Sequence, residues 1–345
     1  MGSVKMIGIT PGQHDAYDDM RKAGLRWLRM GLGFPYRDPG TGRMSGYFER
    51  NLARIKSARS AGFHVLGGTG GPGSMRYDEA AGQTVWKSGV PAWAGEPGTG
   101  GYYRAVENAA AELAVLAKGL VDIWQVANEP DIDIFRGPLS DSQMAQFLKC
   151  VARGVKKGNP QAQTGINIGE LTDYSRMLLG ELYGAGEGLF DYIGLDGYFG
   201  SWQPGGPDSW IEYIDKAYAL TGKPVLVNEW GYSSLGESPH AGRTSKNRYN
   251  QDVCRTGAWP RVWKKEHSRT EQAEYIRACL KIFASHPHVR GNFFFKWSDD
   301  SHCWQCGEPD CPAECAWGLV DVHGSPKEAY YSYRDAVSEC FDQSR

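Results

Sequence analysis

Two glutamates draw attention because each closes an apolar run. Val121-Asp122-Ile123-Trp124 reads as a buried strand and leads through Gln125-Val126-Ala127 into Asn128-Glu129-Pro130. Pro130 has no N–H for a further ladder bond, so the strand must stop there. A hundred residues later Pro224-Val225-Leu226-Val227 runs into Asn228-Glu229-Trp230-Gly231. Strand exits are where a parallel barrel presents its chemistry. Two carboxyl groups facing one another across a cleft suit cleavage of a glycosidic bond, whose transition state resembles an oxocarbenium ion. One must be protonated to assist the leaving oxygen; the other must be charged to attack or stabilise.

The neighbours assign the roles. An apolar setting and a like-charged partner raise a carboxyl pKa, which suits Glu129 as the acid/base. Glu229 is then the nucleophile, kept charged by donors. Arg29 ends the second apolar run and can neutralise it, and Tyr198 ends the sixth and can donate its hydroxyl. Asn128 is a neutral donor for a sugar 2-hydroxyl, and Trp297 offers a platform beneath the reacting ring. Trp202, Trp230, Trp86 and Trp93 are further stacking candidates. Asp131, Asp133 and Arg136, just beyond the acid, can reach hydroxyl groups, although solvated loop charges look the same in sequence.

Positioning these residues requires a rigid frame, and the chain alternates short apolar runs with helical patterns throughout, the mark of a βαβ series and a parallel sheet. The expected strands are Met6–Thr10, Trp27–Leu32, His64–Gly68, Val121–Pro130, Thr164–Ile168, Tyr192–Tyr198, Pro224–Gly231 and Gly291–Trp297. Helical patterns follow each of them, near His14–Ala23, Phe48–Gly62, Tyr103–Lys118, Ser140 onward, Tyr174–Tyr183, Ser209–Leu220, Ser268 onward and Ser325 onward. Ser140 with Gln143, and Ser268 with Glu271, read as capping boxes. Ser325-Pro326-Lys327-Glu328 reads as a cap, a first-turn proline and a capping glutamate. The expected fold is α/β, a (β/α)8 TIM barrel formed by residues 1–345 as a single catalytic domain. Long insertions follow the third, seventh and eighth strands, on the face where barrels build their sites.

The 345 residues carry 38 basic and 40 acidic side chains, a net charge of −2, which points to neither nucleic acid nor an acidic membrane surface. The sequence has no apolar run long enough to span a membrane. Aromatic residues make up 12%, with 12 Trp and 18 Tyr, as flat sugar-binding surfaces require. Residues 1–9 lack the basic region and apolar core of a signal peptide. That leaves a cytoplasmic protein or a secreted one whose leader has been removed.

The chain resembles the clan of retaining glycoside hydrolases built on (β/α)8 barrels, through Ala127-Asn128-Glu129-Pro130 and Val227-Asn228-Glu229-Trp230-Gly231-Tyr232, with Arg29, Tyr198 and Trp297 in support. It is most similar to glycoside hydrolase family 5 and its neighbours, families 39, 2 and 42. The resemblance implies double displacement on β-glycosidic bonds, with Glu129 as acid/base and Glu229 as nucleophile, a β-linked oligo- or polysaccharide as substrate, and no cofactor for the chemistry. Family 5 often has a histidine two residues before the sixth-strand tyrosine. Here that position is Asp196, able to hold Arg29 or to touch a sugar. A transglycosylase would share both glutamates, whereas a non-catalytic carbohydrate-binding barrel would have lost one.

After the eighth strand comes Cys303-x2-Cys306-x4-Cys311-x3-Cys315. Four thiols so close suit a tetrahedral structural zinc or two tight disulfides. In either form the loop beside the cleft would be held. A zinc-dependent hydrolase is the remaining alternative, and chelation would inactivate it.

Overall fold

The apolar runs fold as parallel strands around a closed barrel. In the computed structural model, residues 5–12, 16–78, 80–81, 83–184, 186–237, 254 and 259–341 are described. The strands are β1 (Met6–Ile9), β2 (Trp27–Gly31), β3 (His64–Gly68), β4 (Gly73–Asp78), β5 (Gln83–Ser88), β6 (Ile123–Gln125), β7 (Gln163–Ile168), β8 (Tyr192–Gly197), β9 (Val225–Trp230) and β10 (Val289–Phe294). The helices are α1 (Tyr17–Lys22), α2 (Gly46–Ser60), α3 (Gly100–Leu116), α4 (Asp133–Arg136), α5 (Asp141–Gly158), α6 (Asp173–Tyr183), α7 (Ser209–Thr221), α8 (Arg269–Ser285) and α9 (Glu328–Phe341). Eight strands close the barrel in the order β1-β10-β9-β8-β7-β6-β3-β2, every pair parallel, and β4 and β5 form a separate antiparallel hairpin. This is the (β/α)8 fold expected from the alternation of patterns.

Inside, Met6, Leu66, Ile123, Tyr192, Leu226 and Phe293 form a packed floor, with Trp27 against it. Outward-facing residues such as Ile9, Leu28, Ile166, Ile193, Val227 and Phe294 join the helices in the main core. With both faces covered, β8 and β9 are buried along their whole length, which matches the apolar runs, Tyr192–Leu195 and Val225–Val227, that open them. A side-chain layer inside a barrel fills it rather than leaving a pore. Polar residues placed above that floor therefore belong to the cleft.

The local signals held in part. At α5 the capping box is complete: Gln143 N–H donates to Ser140 Oγ (3.4 Å), and Ser140 N–H to Gln143 Oε1 (2.8 Å). At α8 only half forms, because Glu271 turns its carboxylate to the N–H groups of Lys264 and Lys265 instead. Ser325 does not cap α9; it lies in a turn, its N–H on Asp321 Oδ1, and the helix opens at Glu328. The insertion after β3 carries the β4–β5 hairpin, which the glycine-rich sequence did not suggest. Part of the expected first helix (residues 13–15) and most of the insertion after β9 (residues 238–253 and 255–258) lie outside the described residues. Among those described, no helix is long and apolar enough to cross a membrane.

Candidate active site

Above the floor, five barrel strands contribute polar inward side chains. Arg29 comes from β2, Gln125 from β6, Asn167 from β7, Asp196 from β8 and Asn228 from β9. Gln125 ties them together. Its Oε1 accepts from Arg29 Nε (2.7 Å) and Asn228 Nδ2 (2.9 Å), and its Nε2 donates to Asn167 Oδ1 (2.9 Å), Ala127 O (2.8 Å) and Asn128 Oδ1 (3.1 Å). Asn128 Oδ1 also accepts from Arg29 Nη2 (2.7 Å) and Asn167 Nδ2 (3.1 Å).

This network aims both glutamates. β6 ends at Gln125, and the chain beyond it takes the left-handed region at Ala127 (φ 59°) and Glu129 (φ 39°), conformations that cost free energy for residues with a Cβ. Thr69 Oγ1 accepts Ala127 N–H (3.0 Å) and Asn167 Oδ1 accepts Glu129 N–H (3.1 Å), which hold the turn in place. Gly169 leaves room for the acid: a Cβ there would lie 3.0 Å from Glu129 Oε1. Glu229 is held by Arg29 Nη1 on Oε1 (2.5 Å) and by the Tyr198 hydroxyl, which donates to Oε2 (2.5 Å). The two partners of the ion pair are each 11% exposed at the side chain, so the pair borders the cleft without being solvated freely.

The electrostatics act on Glu129 and on the groups around Glu229. Burial, and then the charges of Asp196, Glu229 and Asp131, raise the Glu129 carboxyl well above the ordinary carboxylate range, with Arg29 opposing. Burial works against the charge on Arg29, yet Glu229 and Asp196 outweigh it and raise its pKa. Burial and the same carboxylates also raise Tyr198, so its hydroxyl keeps the proton it donates to Glu229. Asp131 is pushed up to about 6 by burial, against the N–H groups of Gly169 and Glu170 that it accepts.

Not every expected site residue reaches the cleft. Arg29, Asn128, Glu129, Tyr198 and Glu229 converge. Asp196 stands beneath them, 1% exposed; its Oδ2 accepts from Asn167 (2.5 Å), not from Arg29, and its Oδ1 is buried without a hydrogen-bond partner. Trp230 faces the other way, fully buried against Phe283, Phe294 and Tyr333, with Nε1 on Asn292 Oδ1. The cause is a bulge in β9. Val227 pairs with Leu195 and Asn292, but the next pairs are Glu229 with Asp196 and Trp230 with Phe294, so β9 holds an extra residue against both neighbours. That residue shifts the alternation: Asn228 and Glu229 both serve the site, and Trp230 turns to the helices.

Trp297 is likewise no platform; it is 1% exposed, its ring edge-on to Tyr330. β10 ends at Phe294, alternation lapses, and Phe295 lies beside Tyr198, edge-on at 6.0 Å. Trp202 is partly exposed and packs edge-on to Trp259 at 4.8 Å, on the Tyr198 side. The Trp86 ring covers Gly73 and Gly137, fixing the hairpin to the segment after the acid. Asp133 and Asp141 pair with Arg136, whose guanidinium lies over Tyr174.

From Asn128 a cavity of about 820 Å³ extends over the loops after β2 and β3, lined by Phe34, Tyr36, Arg37, Met44, Tyr47, Val90 and Trp93 among others. Trp93 is 50% exposed there, braced edge-on by Tyr36 at 5.9 Å. Sequence reading missed Gln125, Asn167 and Asn228 as site residues. Their signal was an amide at an inward position of a strand that is otherwise mostly apolar.

No family profile matches the chain, and no curated protein does. Among solved structures it is similar to a family 39 glycoside hydrolase from Bacteroides cellulosilyticus WH2, with TM-score 0.64 and 16% identity over 98% of this chain and 64% of that one. It is similar also to the Ignisphaera aggregans GH53 catalytic domain (TM-score 0.60, 19% identity, 96% of this chain and 91% of that one). A third is a glucosidase from Croceicoccus marinus (TM-score 0.63, 14% identity, 97% and 68%). The fold is that of the barrel glycoside hydrolases. At such identities the likeness establishes the fold and leaves the substrate to the chemistry of the site. The chain spans 64% of the family 39 enzyme and 35% of a Bacteroides uniformis β-glucuronidase that it also resembles.

Proposed function

We propose that this chain is a retaining glycoside hydrolase acting on β-linked oligo- or polysaccharides, with Glu129 as acid/base and Glu229 as nucleophile. The observation that carries the reading is the asymmetry between the two carboxyl groups. Glu229 is clamped by a guanidinium and a phenol, whereas Glu129 is pushed by burial and its acidic neighbours toward the protonated form. Such a pair divides the work of acid and nucleophile within one cleft. In the first step Glu229 attacks the anomeric carbon, the glycosidic bond breaks, and the leaving oxygen takes the proton of Glu129. In the second, Glu129 removes a proton from water as that water displaces Glu229 and restores the free carboxylate. Asn128 lies beside the acid as a donor to a sugar hydroxyl. Carboxyl groups carry the whole reaction in this reading, and no cofactor takes part. The open cavity beyond Asn128, with Trp93 and Tyr36 on its wall, accommodates further sugar units of a longer chain.

The test is a panel of aryl β-glycosides together with β-glucan, mannan, xylan and galactan, run with the wild type and Glu229→Ala. Hydrolysis of at least one substrate by the wild type, reduced by orders of magnitude in the variant, is the expected result. A variant with full activity removes Glu229 from the nucleophile role.

A further inference from the structure

The sequence spacing suggested that Cys303, Cys306, Cys311 and Cys315 act together. The fold groups them differently. Cys254, Cys303, Cys306 and Cys311 bring their sulfur atoms within 4.8 Å of one another, all four buried. Cys315 stands outside this quartet, with its N–H on Cys311 O (2.9 Å) and its thiol on Glu308 O (3.5 Å). The replacement matters because Cys254 belongs to the long connection after β9 and the other three to the connection after β10.

We propose that Cys254, Cys303, Cys306 and Cys311 bind one zinc ion that ties these two connections together. Zinc bonds four thiolates tetrahedrally at about 2.3 Å, which places the sulfur atoms about 3.8 Å apart, inside the observed spread. Two disulfides would join the sulfurs in pairs and would give the pairs no reason to converge on one point. The backbone N–H of Gln305 donates to Cys303 Sγ at 3.3 Å, the kind of outer contact that supports a thiolate ligand. On binding, the four thiols release their protons to solvent and leave no coordination position open, so the ion is structural and takes no part in the chemistry.

The surroundings show what the ion would hold. Around the quartet pack Trp259, Ala313 and Trp317, and against them lie Tyr198, Trp202 and Phe295. Tyr198 meets Trp317 edge-on at 4.9 Å while its hydroxyl contacts Glu229. Between β10 and α9 the chain forms no helix or strand, and so long an irregular segment needs a fastening of its own. The metal site stands on the cysteine geometry alone. Its influence on Tyr198 rests on the glycosidase reading, and metal content distinguishes failure of the one from failure of the other.

The experiment is elemental analysis of the full chain purified without added chelator or zinc, with intact mass measured before and after reduction. One zinc per chain and no mass change on reduction are expected. Cys254→Ser and Cys306→Ser should each lose the zinc, and Cys315→Ser should retain it. Should those variants fail to fold, Co²⁺ added to metal-stripped wild type provides the readout: strong thiolate-to-cobalt charge-transfer absorption is expected, quenched by zinc. A zinc-free wild type, disulfides revealed by mass, or zinc retained by Cys254→Ser and lost by Cys315→Ser would each overturn the proposal.

Discussion

Glu129 combines a left-handed backbone, three acidic neighbours and a partly buried carboxyl group. Each of these opposes the charged form or costs conformational free energy, and the amide network around Gln125 and Asn167 absorbs the cost. The direction of the shift fixes a pH dependence. A general acid works while protonated, so kcat/KM should fall as pH rises through the raised pKa of Glu129, well above the ordinary carboxylate value of about 4.3. Glu129→Gln should abolish that alkaline limb for aryl glycosides with good leaving groups. For substrates with poor leaving groups it should lower kcat/KM by about 10² to 10⁴. Rate profiles against pH for the two proteins decide it, and an unchanged limb in the variant would assign the titration elsewhere. Arg29 stands in the middle of β2, whereas the grouping of the two glutamates, Tyr198 and Asn128 was legible from residue type and place near strand exits. The amides that orient them were not, since a lone Gln or Asn in a strand announces burial without revealing which strands its side chain bridges.

At the scale of the element, β9 shows where pattern reading succeeds and where it stops. Its apolar run identified a strand and its glutamate a site, yet Trp230, expected to stack on a sugar, turns to the helices. A bulge depends on how two neighbouring strands register, which the sequence of one strand does not encode. The correction has measurable consequences. Trp230→Ala should destabilise the fold by about 3–5 kcal/mol, as expected for a fully buried aromatic residue. Trp93→Ala, half exposed on the cavity wall, should leave stability within about 0.5 kcal/mol of wild type. It should also raise KM for oligosaccharides roughly fivefold, a loss of about 1 kcal/mol of stacking. Urea unfolding and steady-state kinetics on both variants check the assignment, and the opposite pattern would return Trp230 to the cleft. Helix ends follow the same logic. Ser140 and Gln143 satisfy each other locally and were read correctly, whereas Glu271 is drawn to the N–H groups of Lys264 and Lys265 outside its helix.

For the molecule as a whole, the barrel was legible because strand and helix patterns alternate along the full sequence, and a parallel sheet covered on both faces leaves a strong apolar signal. What the sequence concealed lies in the connections. The grouping of Cys254 with the later cysteines and the aromatic wall of Trp202, Trp259 and Trp317 both unite segments distant in the chain, while the local hairpin after β3 is masked by the glycines around it. In the proposed reaction two carboxyl groups, one on the turn beyond β6 and one on β9, act by double displacement, which requires a separation of about 5 to 5.5 Å. Its most direct test is the anomeric configuration of the first product, followed by proton NMR from the start of hydrolysis of a β-glycoside. The β-anomer is expected first, with the α-anomer appearing only later, by mutarotation. Initial release of the α-anomer would mean a single displacement by water and would contradict the role assigned to Glu229.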